Sequence, residues 1–449
     1  MEGSQICEAY TTSSKLKASL TLSFLCNLSP FHFLQILHTS GARTTLKMLC
    51  NKAPKILPGF AAESVISDQD LLLLILLRLP IRSLLKFKSV SKRWLSLISN
   101  PHFSHRRSSS HPPAPSGIFL PRPCPNFSPE YDFLSLSTNS PRAPFESIDF
   151  TERKQGTGTV QILQSCNGLI LCGSTNRNHS RRDYYVCNPT TKQFTTLPEL
   201  RTGTIFGLNL AFDPSRSSNY KVVCVRDSDS FANNYQIEIY SSRTGPWRPC
   251  QGVFAAPISM RFHDGVYWNG AVHWISTWEN CLYFDLREER LHELPMPRVP
   301  DGWEERRTVY AGNCGGRLRL IEVYDPRGLQ FNVYEMEDDR SGWFVKYRID
   351  LHCVSAAFPE VICSEENLEL GLFPKFSVLA IIDRSEGDEE SYLVVQILGK
   401  VLRVNVESGR FERLGLGEQN KGGETGAVYP IIEFGHNDAY LFIESLACV

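Results

Sequence analysis

The residues capable of reaction chemistry are scattered along this chain rather than gathered. It carries no His-Glu-x-x-His pair for zinc, no phosphate loop and no Gly-x-Ser-x-Gly nucleophile turn. Gly415-Leu416-Gly417 lacks the third glycine of a dinucleotide turn. The 14 cysteines include no Cys-x-x-Cys pair, which argues against a zinc site or a disulfide framework and fits a reducing compartment. Glu386, Asp388, Glu389 and Glu390 form an acidic run broken only by Gly387. Repulsion between such carboxylates keeps them solvated at a loop tip rather than round a metal. His273-Trp274 falls in a predicted strand just after a turn, a place for packing within a sheet. No catalytic, metal or cofactor-binding residue is assigned, and no cofactor is expected.

What remains is the chemistry of association. Residues 65 to 103 read VISDQDLLLLILLRLPIRSLLKFKSVSKRWLSLISNPHF, with an unbroken apolar run from Leu71 to Leu77. That run is far shorter than the roughly 20 residues a membrane span needs. It is also apolar on all sides, whereas a surface helix shows one apolar stripe. Three short helices would carry it. Ser67 is placed to cap the first, with Asp70 three residues on. Pro80 stops that helix, a second runs from Arg82 to Ser89, and Ser91 caps a third with Trp94, Leu97 and Ile98 on one face. Asn100-Pro101 ends it. A module of about 40 residues rarely buries enough surface to stand alone, so its apolar excess predicts a partner protein.

This stretch resembles an F-box. The residues that carry the resemblance are Leu71-Leu72, Ile75-Leu76, Leu79-Pro80, Leu84-Leu85, Val90, Lys92 and Trp94, with Pro101 and Phe103 as its tail. Ser67-Asp68 stand where the family usually opens Leu-Pro, and Leu74 stands where an acidic residue is common. The resemblance implies docking onto the Skp-type adaptor of a Skp–cullin–F-box ubiquitin ligase, and through it onto a cullin. The residues expected to bind the adaptor are Leu72, Ile75, Leu76, Leu79, Pro80, Leu84, Leu85, Val90 and Trp94.

The whole chain of 449 residues is too long for one ordinary core. Its 47 basic and 48 acidic residues give a net charge of −1, which offers nothing to nucleic acid. Residues 1–63 are rich in Ser, Thr and Leu, with no acidic residue between Glu8 and Glu63. A transit peptide, a flexible tail and translation that begins at Met48 all fit them. The F-box is expected over 64–104, a linker over 105–117, where residues 104 to 116 read SHRRSSSHPPAPS, and an all-β domain over 118–449. The pair Arg106-Arg107 reads as a solvated junction.

In that last region a phrase recurs: an apolar strand, a polar turn, then a strand with an aromatic residue or Leu. It appears as YYVCNPTTKQFTTLP, QIEIYSSRTGPWR, LYFDLREERLHELP, FNVYEMEDDRSGWFVKYRI and VLRVNVESGRFERL. Asn167-Gly168 and Asn269-Gly270 mark further hairpins. Two hairpins per period make a four-stranded blade, and periods of this length mean a propeller. A β-sandwich of hairpins is the competing architecture; the near-fixed spacing favours the ring. The closing AVYPIIEFGHNDAYLFIE lacks partner strands, which 118 to 150 would supply to complete about six blades. Trp247, Trp343 and Phe411 recur at one point of the repeat as wedges between blades.

The segments SCNGLILC, NPTTKQFTTLP, FDPSRSSNYKVV, NGAVHWI, FDLREERLHELPMP, SGWFVKY and YLFIESLACV resemble the plant F-box-associated domain, itself similar to kelch-type propellers in repeat logic. The combined signature implies a non-catalytic substrate receptor of a ubiquitin ligase, cytoplasmic or nuclear, without nucleic-acid or membrane partners. A propeller interaction protein outside any ligase is the alternative. The target is not legible; loops 175–183 and 226–234, the first with Arg177, Arg181 and Arg182, are candidates because loops carry function.

Overall fold

A computed structural model describes residues 69–110, 114–122, 130–136, 160–175, 182–200, 203–229, 234–250, 252–257, 259–276, 281–303, 306–324, 329–361, 376–383, 390–415 and 435–449. The chain divides into two compact units, Met1–His111 and Pro112–Val449. The N-terminal 63 residues, the Ser67 cap and most of the acidic run lie outside the described residues.

The first unit contains α1 (Gln69–Leu77), α2 (Ile81–Phe87), α3 (Lys92–Ile98) and α4 (Pro101–Ser110). Pro80 separates α1 from α2. Ser91 caps α3, its hydroxyl accepting from the Trp94 backbone N–H at 3.2 Å. The fourth helix corrects the expected linker over 105–117. Asn100-Pro101 ends α3 and also starts α4: the Asn100 side chain accepts from the His102 N–H at 2.9 Å, and Pro101 occupies the first turn, where its missing N–H costs nothing. Phe103 is buried, and Arg107 donates to the Leu77 carbonyl at 2.6 Å, satisfying an orphan acceptor at the end of α1. Arg107 is therefore a helix cap rather than part of a solvated junction.

The second unit is a ring of six sheets. The strands are β1 (Pro115–Arg122), β2 (Glu130–Ser135), β3 (Val160–Cys166), β4 (Leu169–Thr175), β5 (Arg182–Asn188), β6 (Gln193–Thr196), β7 (Ile205–Ala211), β8 (Lys221–Asp227), β9 (Tyr235–Ser241), β10 (Gly245–Pro249), β11 (Val266–Trp268), β12 (Ala271–Trp274), β13 (Leu282–Asp285), β14 (Arg290–Glu293), β15 (Thr308–Cys314), β16 (Arg317–Glu322), β17 (Gln330–Met336), β18 (Trp343–Asp350), β19 (Ser377–Ile382), β20 (Tyr392–Ile397), β21 (Lys400–Asn405), β22 (Phe411–Leu414) and β23 (Tyr440–Ile443). Five blades are consecutive antiparallel four-stranded meanders: β3–β6, β7–β10, β11–β14, β15–β18 and β19–β22. The sixth, with three strands among the described residues, pairs the last strand with the first two in the order β2-β1-β23. The expected closure is thus made by the last strand, β23, on β1 and β2, while 427–434, the first half of the expected hairpin, lie outside the described residues; closure removes the exposed edges an open array would leave.

The sequence pattern follows from the packing. Strands inside a blade are covered on both faces by neighbouring blades, so they read as apolar runs, as in β20, buried throughout. Outer strands such as β22 and β14 are half exposed. Apolar clusters fill each junction. Leu171 and Val186 of the first meander meet Val222 of the second; Val223 of the second meets Phe284 of the third; Phe331 of the fourth meets Val395 of the fifth. Phe119 and Phe442 of the closing sheet pack on Ile170 and Cys172.

Turn chemistry repeats with the blades. Asn167-Gly168 and Asn269-Gly270 take positive φ (47° and 92°, 45° and 82°), as a type I′ turn requires. In three of the outer hairpins an Asn or Asp side chain accepts from the N–H two residues on, and the N–H four residues on returns to its carbonyl: Asn188 with Lys192, Asp285 with Glu289, Asn405 with Gly409. Lys192, Glu289 and Gly409 are left-handed. Trp247 and Trp343 are wedges between blades, but at the rim: their indoles donate to the Pro198 and Pro295 carbonyls of the preceding blade at 2.8 and 2.7 Å. Phe411 packs on Phe358.

Candidate functional site

The nine residues expected to meet an adaptor separate into two groups. Leu72, Leu76, Leu79, Leu84 and Trp94 are buried, Leu76 and Leu84 completely. Trp94 meets Phe87 edge to face at 5.3 Å. Ile75, Leu85 and Val90 are half-buried and Pro80 is exposed. Leu74 and Leu95, 45% and 46% exposed, add apolar surface that the nine did not include. Sequence reasoning passed over Leu95 because it followed the buried face of α3. The available signal was an apolar residue next to Trp94 on the opposite side of an amphipathic helix. The accessible surface of α1 to α3 combines these apolar residues with the exposed side chains of Arg78, Arg82, Lys86, Lys92 and Arg93.

The axis of the second unit is a cavity of about 150 Å³ walled by the inner strands. Several of its polar groups tie those strands together. Gln164 of β3 donates to the Gly265 carbonyl beside β11 and accepts from the Leu210 N–H of β7. Asn313 of β15 donates to the Tyr267 carbonyl at 3.0 Å. Tyr310 and Cys314 meet at 3.0 Å. Burial pushes the lining thiol Cys166 up to about 12 and its neighbour Cys314 up to about 11, away from the thiolate form that reacts.

Buried charge is handled by pairing. Arg226 Nε lies 2.9 Å from Glu238, both almost fully enclosed, and Arg319 holds Glu335 at 2.9 Å. Composition alone gave no hint of these pairs. Trp274 and His273 are both completely buried, as packing residues. His273 Nδ1 donates to the Val266 carbonyl at 3.2 Å, and its ring stacks on Tyr283. Burial holds the His273 imidazole down from 6.5 to about 3. The unfolded chain therefore binds a proton that the native state refuses. Stability is expected to be complete above about pH 6.5 and to fall as pH drops from there towards 3. Urea midpoints at pH 7 and pH 5 measure the slope, which should be shallower in His273→Gln; an identical slope in both proteins contradicts the assignment.

Among the described residues no group of His, Cys, Asp and Glu is placed to hold a metal, and no helix is long and apolar enough to cross a membrane. Of the candidate loops, residues 176–181 and 230–233 lie outside the described residues, as do Leu416 and Gly417. Glu390, at the end of the acidic run, accepts from the Asn405 amide.

A small helical unit with apolar residues on its surface, followed along the chain by a closed propeller, makes a two-part protein. Comparison with known proteins agrees. The F-box domain family matches residues 68–106, and the F-box associated beta propeller domain family matches residues 126–352. An F-box protein of Arabidopsis thaliana is 38% identical over 401 residues, covering 84% of this chain and 92% of that one. A second F-box protein of the same plant is 26% identical over 319 residues, covering 67% of this chain and 83% of the relative. A crystal structure of TolB from Acinetobacter baumannii aligns with a TM-score of 0.36 at 10% identity, over 70% of this chain and 67% of that chain.

The chain belongs to the F-box proteins that carry an F-box-associated β-propeller. The general role of such proteins is that of non-catalytic substrate receptors in Skp–cullin–F-box ubiquitin ligases, with the F-box implying a Skp-type adaptor.

Proposed function

We propose that this chain brings one particular target protein to a cullin-based ubiquitin ligase. The observation that supports this most is the pairing of an F-box, apolar at its surface, with a closed propeller. The adaptor meets Leu74, Ile75, Pro80, Leu85, Val90 and Leu95, while Leu72, Leu76, Leu79, Leu84 and Trp94 hold those positions in place. The proposed domain limits are 64–104 for the F-box and 118–449 for the receptor domain, with α4 carrying the helical unit on to Ser110 and β1 starting the propeller at Pro115. The propeller does no bond chemistry. It raises the effective concentration of the target beside a conjugating enzyme.

The cytoplasm or nucleus suits a protein whose described cysteines are all free, with Cys353 and Cys448 exposed. Affinity capture of the tagged chain under proteasome inhibition tests the proposal. A Skp-type adaptor, a cullin and at least one ubiquitinated protein should co-purify. Capture of a stable partner without any cullin would instead make the chain an interaction protein outside a ligase.

A further inference from the structure

The strands of each meander alternate in direction, so the starts of all inner strands share one face of the ring. On that face the second and third meanders build a feature that the fold does not require. Phe206, at the start of β7, is 39% exposed, and Val253 is 37% exposed. Phe206 rests edge-on against Tyr235 at 4.9 Å; Tyr235 contacts Phe254 at 5.7 Å and Phe262 at 4.9 Å; Phe262 stands on the buried Trp274 at 5.3 Å. The exposed end is therefore a rigid aromatic anchor footed in the core, the kind of side chain that concentrates binding energy.

A turn bearing carboxylate lies against it. An ideal Cβ on Gly207 would stand 2.2 Å from the Phe262 carbonyl, so only glycine lets the strand bearing Phe206 lie against the turn Phe262–Asp264. Asp264 and Asp438 belong to two short turns, Phe262–Asp264 and His436–Asp438, that lead into β11 and β23 at the ring axis. Asp438 acts electrostatically on Asp264, and both act on Tyr440. Asp227 sits at the end of β8 directly opposite Tyr235, and Asp229 follows it. Against these four carboxylates stand Arg261, paired with Asp264 at 2.9 Å, and Arg226, which is already shared between Asp229 and Glu238. His263 Nε2 also lies 3.4 Å from Asp264, and burial holds the His436 imidazole down to about 4; four carboxylates against two guanidinium groups leave the described charges around the aromatic anchor predominantly negative.

The geometry points to this face as the docking site for an extended peptide segment that carries Lys or Arg next to an aromatic or leucine side chain. The apolar residue would seat on Phe206, Tyr235 and Val253. The cation would reach the carboxylates at the axis, which disfavour an acidic segment by like-charge contact. This deepens the receptor reading by naming the chemistry of the segment recognised.

The purified full chain, with no adaptor or cullin present, is panned against a random 12-residue peptide phage library at low salt. Recovered peptides should place a basic residue beside Trp, Phe or Leu and weaken with added salt. Their affinity should fall at least about ten-fold in Phe206→Ser and, separately, in Val253→Ser, and Asp264→Asn should reduce the salt dependence. Adaptor binding, measured on the same variants, should be unchanged. Failure to enrich any peptide, recovery of acidic peptides, or affinities indifferent to all three substitutions would overturn the proposal. None of these results bears on whether the chain enters a ligase.

Discussion

Replacing Ile75 and Leu85 together by aspartate is expected to weaken binding to a Skp-type adaptor by at least about 100-fold. Both side chains are half-buried in the free chain, so an interface has apolar area left to cover on each. Full burial of such a side chain is worth about 1.5–3 kcal/mol, of which about half remains to be gained here. A carboxylate at the same place adds the cost of desolvating a charge, so a combined loss of about 3 kcal/mol, or two decades of affinity, is a conservative expectation. The choice of positions matters. Leu76 and Leu84 are completely buried, and a charge there would unfold the helices, making lost binding uninformative. Titration of the double variant with purified adaptor measures the effect, and an unchanged melting temperature certifies the fold. Full affinity in the double variant would place the adaptor on some other surface.

Phe442→Ala is expected to destabilise the propeller by about 3–5 kcal/mol. Phe442 lies on β23, the strand that returns from the C-terminus to close the ring, and is 2% exposed. Its ring meets Phe119 at 5.7 Å and Phe133 at 5.8 Å. Truncation removes this joint from the closing sheet and also from the junction with the first meander, where Asn188 clamps the chain beyond β23 by donating to the Ser445 and Ala447 carbonyls at 3.1 and 2.8 Å. A cavity at a closure is costly because the neighbouring blades cannot collapse into it independently. Urea unfolding gives the change in stability, and a loss below about 1 kcal/mol would contradict a ring held shut by this strand.

Much of this was legible in the residues, for identifiable reasons. Several meanders announce themselves by repeated turn chemistry: Asn-Gly in two tight hairpins, and polar turns between strands in the outer ones, three of them with an Asn or Asp four residues ahead of a left-handed position. The closure was legible because AVYPIIEFGHNDAYLFIE reads as a hairpin candidate that lacks partner strands. Helix α4 was not. Its sequence, PHFSHRRSSS, is polar and serine-rich, and it is held by Phe103 and the Arg107 contact to Leu77, both of which depend on the position of α1. The buried pairs Arg226–Glu238 and Arg319–Glu335 were hidden because a charge in sequence gives no sign of its partner across a sheet. The nine adaptor residues were chosen by apolarity, which does not separate residues that hold the helices together from residues that face outward. That separation comes from the packing of Trp94 on Phe87 and from the direction of Leu74 and Leu95.

The measurement that bears most directly on the central claim is a calorimetric titration of the purified chain with a recombinant Skp-type adaptor. A one-to-one complex with Kd below about 1 μM, which then retains a cullin on size exclusion, is the result expected. Absence of any heat of binding, with adaptor and chain eluting apart while the propeller is folded, would contradict it.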